Sequence, residues 1–128
     1  MKRILILTLR SVMLRCPNCG GGGLFASWFQ MKERCPTCSF ALERNEGEDY
    51  FIGGMMLNIV LAELVYAGAM LIWLLVTWPT PPWTLLQYVG IPLMVVAPFV
   101  LYPFSRTTWL AFDLMFRPAT SEEFGPDA

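Results

Sequence analysis

The residues whose types and spacing point to chemistry are four cysteines, in the pairs Cys16-Pro-Asn-Cys19 and Cys35-Pro-Thr-Cys38, with 15 residues between them. That interval falls within the C-x2-C-x15–20-C-x2-C spacing of structural zinc sites. Two sulfurs across a C-x-x-C turn can both reach one ion at about 2.3 Å, and two such turns complete a tetrahedron. Gly20, directly after the first pair, suits the tight knuckle that lets backbone N–H groups point at sulfur, and Ser39 stands where a second glycine would be ideal. Four thiolates around a dication leave an excess of negative charge, and Arg15, Lys32 and Arg34 lie close in sequence to offset it. The expectation is one zinc ion held by Cys16, Cys19, Cys35 and Cys38.

Other uses of four sulfurs have weaker grounds. A rubredoxin-type iron centre takes the same ligands and stays open on spacing alone. A thioredoxin-type redox pair sits at a strand-to-helix junction of a βαβ fold, and no such pattern occurs. Disulfides are disfavoured if the head faces a reducing cytoplasm. The chain has no histidine, which removes Ser–His–Asp and Cys–His catalysis, HExxH proteases and imidazole-held haem. The four glycines at 20–23 are no phosphate loop, since no Gly-Lys-Ser/Thr follows. No catalytic residue and no enzymatic activity is expected.

Behind the cysteines the chain divides by charge. Of 128 residues 55 % are hydrophobic and 15 % charged, with a net charge of −1. Soluble domains carry about a quarter charged residues, and a nucleic-acid binder would show a basic excess. Seven of the nine Lys and Arg lie before residue 50, and none lies between 45 and 105. Residues 51–78 form a 28-residue apolar run, and 85–104 a second one of 20. About 20 helical residues cross a bilayer core, so both qualify as spans. The intervening Trp78-Pro-Thr-Pro-Pro-Trp83 is a helix-stopping turn framed by residues that favour the headgroup level.

The architecture expected is therefore a membrane protein. An amphipathic N-terminal segment (1–14) precedes a small zinc-ribbon head of β-hairpin knuckles (15–49). A transmembrane helical hairpin (50–104, spans 51–78 and 85–104) follows, then a short amphipathic interfacial helix (105–118) capped at Ser105 and a mobile acidic tail (119–128). A soluble hairpin is disfavoured, because so small a head cannot cover two all-round apolar helices. Both ends carry Lys and Arg and the Pro/Trp turn carries none, so the positive-inside rule places both termini in the cytoplasm of a two-pass protein of the inner membrane.

Within the first span, Gly54, Asn58, Ala62 and Ala69 share one stripe of a helical wheel, the small-residue pattern of close helix contact in lipid. Glu63 falls on the opposite face with Ile59, Val60, Tyr66 and Met70. A carboxylate there is expensive, which makes Glu63 a candidate for a partner contact or a tolerated protonated acid. Gly54 and Asn58 are candidates for the helix–helix contact.

The order CPNCGGGGLF, CPTCS, GEDYF, apolar span, Pro/Trp turn, second span and SRTTWLAFDLMFRP resembles the bacterial membrane family catalogued as domain of unknown function 983, over residues 15–118. Ser39 departs from it where the family usually has glycine. The resemblance implies a zinc-ribbon head on a two-helix anchor, no attached enzymatic activity, and a place around respiratory complexes, a respiratory oxidase among them. Two functional classes follow. One is a non-enzymatic accessory, docking or assembly factor of a larger membrane complex, in contact with lipid and not with nucleic acid. The other is a thiol-based metal or redox carrier that loads a membrane metalloenzyme.

Overall fold

A long apolar run has no side chains to satisfy its backbone N–H and C=O groups, so helix, which pairs them internally, is its economical state. The computed structural model, which describes residues 1–44, 50 and 52–125, has two such helices after a short first one. The elements are α1 (Lys2–Val12), β1 (Phe25–Ser27), β2 (Gln30–Met31), α2 (Ile52–Thr77) and α3 (Trp83–Phe116), closed by a 3-10 turn at Ser121–Glu123. Both α2 and α3 are long and apolar enough to cross a membrane, and only 6 % and 17 % of their most apolar stretches are buried. The core helices of a soluble protein would be mostly covered; these present their apolar surface outward. The chain is a membrane protein in that sense.

Beside them stands the small head expected from the cysteines: β1 and β2 pair antiparallel, with Phe25 opposite Met31. Its core joins Cys16, Leu24, Met31, Cys35, Phe40 and Leu42 to Leu7 of α1 and to Leu110, Ala111 and Leu114 of α3. The ribbon is thus packed onto the helices, sharing one apolar core with them.

That packing explains the main departure from the expected boundaries. A span ending at 104 and a separate interfacial helix capped at Ser105 are replaced by one helix of 34 residues, about 51 Å long at 1.5 Å per residue. Ser105 is buried, and its hydroxyl lies 2.9 Å from the carbonyls of Leu101 and Tyr102, a mid-helix bond and not a cap. Pro103 should break the helix by freeing the carbonyl of Phe99. That carbonyl instead accepts the indole N–H of Trp28 at 2.8 Å.

Helix α1 lies antiparallel along the head-side end of α3. Thr107 Oγ1 donates to Ser11 O at 2.8 Å, and the Arg3 guanidinium donates to Leu114 O at 3.2 Å. The expected mobile tail is also corrected as far as it is described. Glu123 is 8 % exposed and Phe124 bridges Phe40, so 119–125 form a strap against the head. Residues 126–128 and the acidic pair Glu48–Asp49 lie outside the described residues.

Between α2 and α3, Gly54 and Ala62 are buried, and Asn58 donates to Pro98 O at 3.0 Å. Tyr66 and Met70 are not on the far face: a Cβ on Gly90 would come within 3.2 Å of the Tyr66 hydroxyl and 3.6 Å of Met70 Sδ. Small residues sit on both helices, so large side chains of α2 fill the notch at Gly90 and the contact arc is wider than the small stripe. Glu63 is exposed at the rim of a cleft of about 120 Å³ formed with Ile59, Ala62, Tyr66, Met94 and Pro98. It borders α3 and does not point away from it.

Candidate metal centre

Each cysteine pair is a turn built the same way. In the first, Gly20 N–H donates to Cys16 O at 2.8 Å; in the second, Ser39 N–H donates to Cys35 O at 3.0 Å. Both closing residues are left-handed, Gly20 at φ 79° and Ser39 at φ 59°. Glycine adopts that region freely, whereas a residue with Cβ is strained by about 1–2 kcal/mol. Gly21 N–H then donates to Cys19 Sγ at 3.2 Å. A side chain at Gly21 would collide with Thr37 of the facing knuckle, so the absence of Cβ there is what lets the two turns approach.

The sulfurs converge. Cys16 Sγ lies 3.9 Å from Cys38 Sγ, Cys19 Sγ lies 3.6 Å from Cys35 Sγ, and all four are within 4.8 Å of one another. A tetrahedron with metal–sulfur bonds of about 2.3 Å has edges of about 3.8 Å. The pairs are too far apart for disulfides, at about 2.05 Å, and match the edges of a mononuclear site. A polynuclear iron–sulfur cluster would spread its cysteines over several irons. Four cysteines therefore lie close enough to bind one metal ion, and the donor set fits it.

The electrostatics agree. Burial pushes the Cys16 thiol well above its ordinary range, backbone N–H groups of Cys19 and Asn18 oppose this, and the neighbouring sulfurs add to it. Burial also dominates at Cys38, whose thiol is raised. Burial likewise raises Cys35, but the N–H groups of Cys38 and Thr37 outweigh it and bring the thiol down. Four thiolates so placed repel one another, and a dication removes that repulsion.

Arginines hold both knuckles by their carbonyls. Arg10 donates to Pro17 O at 3.1 Å and Asn18 O at 2.9 Å, and Arg34 to Ser39 O at 2.9 Å. Arg34 was expected beside the site and Arg10, from α1, was not. Arg15 and Lys32 are exposed. Gly54, Asn58 and Glu63 lie on α2 and take no part in this centre.

One cluster beneath the site was not anticipated. Arg44, 5 % exposed, donates to Glu123 at 2.7 and 3.1 Å, Asp113 at 2.9 Å, and the carbonyls of Arg117 at 2.6 Å and Pro118 at 3.3 Å. Asp113 also accepts from Tyr50 and Arg117. Burial alone would lower the Arg44 guanidinium, but the two carboxylates raise it. Burial alone would raise Glu123, but Arg44 and the Thr120 N–H hold it below its ordinary 4.5. Two local signals of the cluster are present in the sequence: Asp113 and Arg117 at i,i+4, and Thr120-x-x-Glu123 as a capping box.

A family model described as "Protein of unknown function (DUF983)" matches residues 25–113. The matched segment takes in Cys35, Cys38, α2 and most of α3 and begins after Cys16 and Cys19, so the four-sulfur set is read from this chain itself. No curated protein and no solved structure matches the chain.

Proposed function

This chain belongs to the DUF983 family, and on that footing we propose that it is a non-enzymatic, membrane-anchored zinc-ribbon protein. In this reading it serves as an accessory, docking or assembly factor of a larger membrane complex. The observation that carries the proposal is the closed geometry of the four sulfurs, with edges of 3.6 and 3.9 Å. Catalytic zinc keeps a position open for water, and a set of four thiolates leaves none. Zinc is proposed over iron because two C-x2-C pairs at this interval are the pattern of structural zinc sites. The ion would fix the ribbon, and the ribbon would present its outer surface to a neighbouring subunit while α2 and α3 hold it in the inner membrane. Both termini would face the cytoplasm by the positive-inside rule. A respiratory complex is the proposed setting, resting on the family resemblance.

The carrier reading has one observation in its favour: Cys19 and Cys38 are only half-buried, which gives an incoming ligand access to two sulfurs. Metal retention separates the two readings. Protein purified in mild detergent and exposed to a zinc chelator should keep one zinc per chain, and forced removal should disorder residues 15–44 while the helices remain inserted. Fast exchange with a head that stays folded would favour the carrier. A visible thiolate-to-iron absorption band would replace zinc by iron. Co-purifying subunits, identified by mass spectrometry, would name the complex.

A further inference from the structure

The tip between β1 and β2 is two aromatic residues that the metal site does not use. Trp28 is 48 % and Phe29 52 % exposed. On a ribbon standing free in water, such a pair would be an unexplained apolar patch. Here the tip reaches away from the knuckles and along α3. Trp28 Nε1–H donates to Phe99 O at 2.8 Å, the carbonyl whose helical donor Pro103 removes. Phe29 stands edge-on to Phe99 at 6.1 Å and tilted to Tyr102 at 5.4 Å, and Trp28 is edge-on to Phe104 at 6.4 Å. The rest of the head packs lower, on Leu110, Ala111 and Leu114.

Depth follows from helix rise. From Trp83, which marks the bilayer edge at the Pro/Trp turn, Phe99 is about 24 Å along α3 and Phe104 about 32 Å. A hydrocarbon core of about 30 Å ends between them. The tip is therefore level with the last turn of the core, beside Val95, Val96, Phe99 and Val100, which are 49–59 % exposed and apolar. An aromatic ring in the acyl region whose one polar group is already bonded suits this boundary, where tryptophan concentrates. Lys32, exposed and directly after β2, has the reach to place its ammonium among lipid phosphates.

We propose that the β1–β2 tip is a lipid-inserted element, with Trp28 and Phe29 seated among the phospholipids of the head-side leaflet. The ribbon then meets the bilayer as well as the helices, and the metal-bound knuckles at the base of the hairpin set the depth of the tip. This rests on α2 and α3 spanning the membrane, and the experiment separates the two claims.

The photocrosslinker p-benzoylphenylalanine is placed singly at Phe29, at Gln30 on the same tip, at Val95 on the outward face of α3, and at Glu33 on the exposed head. Each variant, checked for wild-type metal content, is irradiated in nanodiscs of phosphatidylethanolamine and phosphatidylglycerol. Phospholipid-mass adducts at 29 and 95, and none at 33, are the expected result. Should position 29 not accept the probe with its metal retained, position 30 is read in its place. Lipid adducts at 95 with none at the tip, or tip adducts only to protein, would overturn the inserted tip and leave the spans standing. No lipid adduct at 95 would overturn the spans and the tip together.

Discussion

Replacing Arg44 with methionine should release the C-terminal strap from the head. Arg44 is 5 % exposed, and one of its partners, Glu123, is 8 % exposed. Removing one member of a buried ion pair leaves an uncompensated charge, which costs about 3–5 kcal/mol. Asp113 softens the loss, because it keeps the half-exposed Arg117 at 2.9 Å and the Tyr50 hydroxyl at 3.1 Å. The Glu123 carboxylate keeps Thr120, whose N–H lies at 2.8 Å, and no cation among the described residues. The low end, about 3 kcal/mol, is therefore expected, or about a hundredfold in the ratio of docked to released strap. Hydrogen exchange in nanodiscs reads this directly at the Ala41 and Gly125 amides, which donate to Glu123 O at 2.8 Å and Ser39 O at 3.2 Å. Both should exchange about a hundredfold faster in Arg44→Met while amides of α2 keep their protection. Adding Glu123→Leu should recover part of the loss, since an apolar pair carries no stranded charge. Unchanged protection at Ala41 and Gly125 in the single variant would refute the reasoning, because the strap would then be held without Arg44, by Phe40–Phe124 packing, Arg34 and the backbone bonds.

Ser39→Gly should relieve the strain at φ 59° and stabilise the second knuckle by about 1 kcal/mol, seen as roughly fivefold slower zinc loss to a chelator. Because Glu123 is held below its ordinary 4.5, the stability it lends is full above that value and is lost as pH falls through the lower folded value. The difference in Gly125 protection between wild type and Glu123→Gln should accordingly close on acidification, and a difference that grew would contradict the pairing. Reporter fusions at both termini should score cytoplasmic and an insertion near Pro81 external, whereas an external N-terminus would reverse the orientation. Glu63→Leu should weaken co-purification of a partner subunit without lowering membrane insertion; unchanged association would mark Glu63 as a tolerated acid.

The four-sulfur cluster was legible because it is local. A C-P-x-C turn and its left-handed fifth residue are written in five consecutive positions, and Ser39 was recognisable as the departure because glycine is what that position favours. Both apolar runs were legible for the same reason, since one window of sequence contains the whole signal. The end of the second span was not. Ser105 is a good cap and Pro103 a good breaker, so local rules stop the helix there. What carries it on is tertiary: Leu110, Ala111 and Leu114 pack under the ribbon, and Trp28 takes the carbonyl that Pro103 frees. The Arg44 cluster was hidden by distance, its partners lying 69 and 79 residues further along the chain.

These misses share a cause, and it bears on mechanism. A division into ribbon, anchor, interfacial helix and tail treats each segment as a unit with its own stability. The structure instead ties three segments to the head-side half of α3: α1 through Ser11 and Thr107, the ribbon through Leu110, Leu114 and, at its tip, Phe99, and the strap through Arg44 and Asp113. Cys16 and Cys35 belong to that shared core, and Arg10 and Arg34 carry contacts from the knuckles to α1 and the strap. On the proposed function, loss of the ion would therefore not stay within the ribbon. It would remove the restraint on the hairpin base, and with it the placement of Trp28 against the proline-interrupted turn of α3. A metal that sets the shape of a head so connected also sets the surface that the head and the emerging helix offer to a neighbour. That would be the physical content of the proposed accessory role: a bound ion would decide whether the docking surface exists.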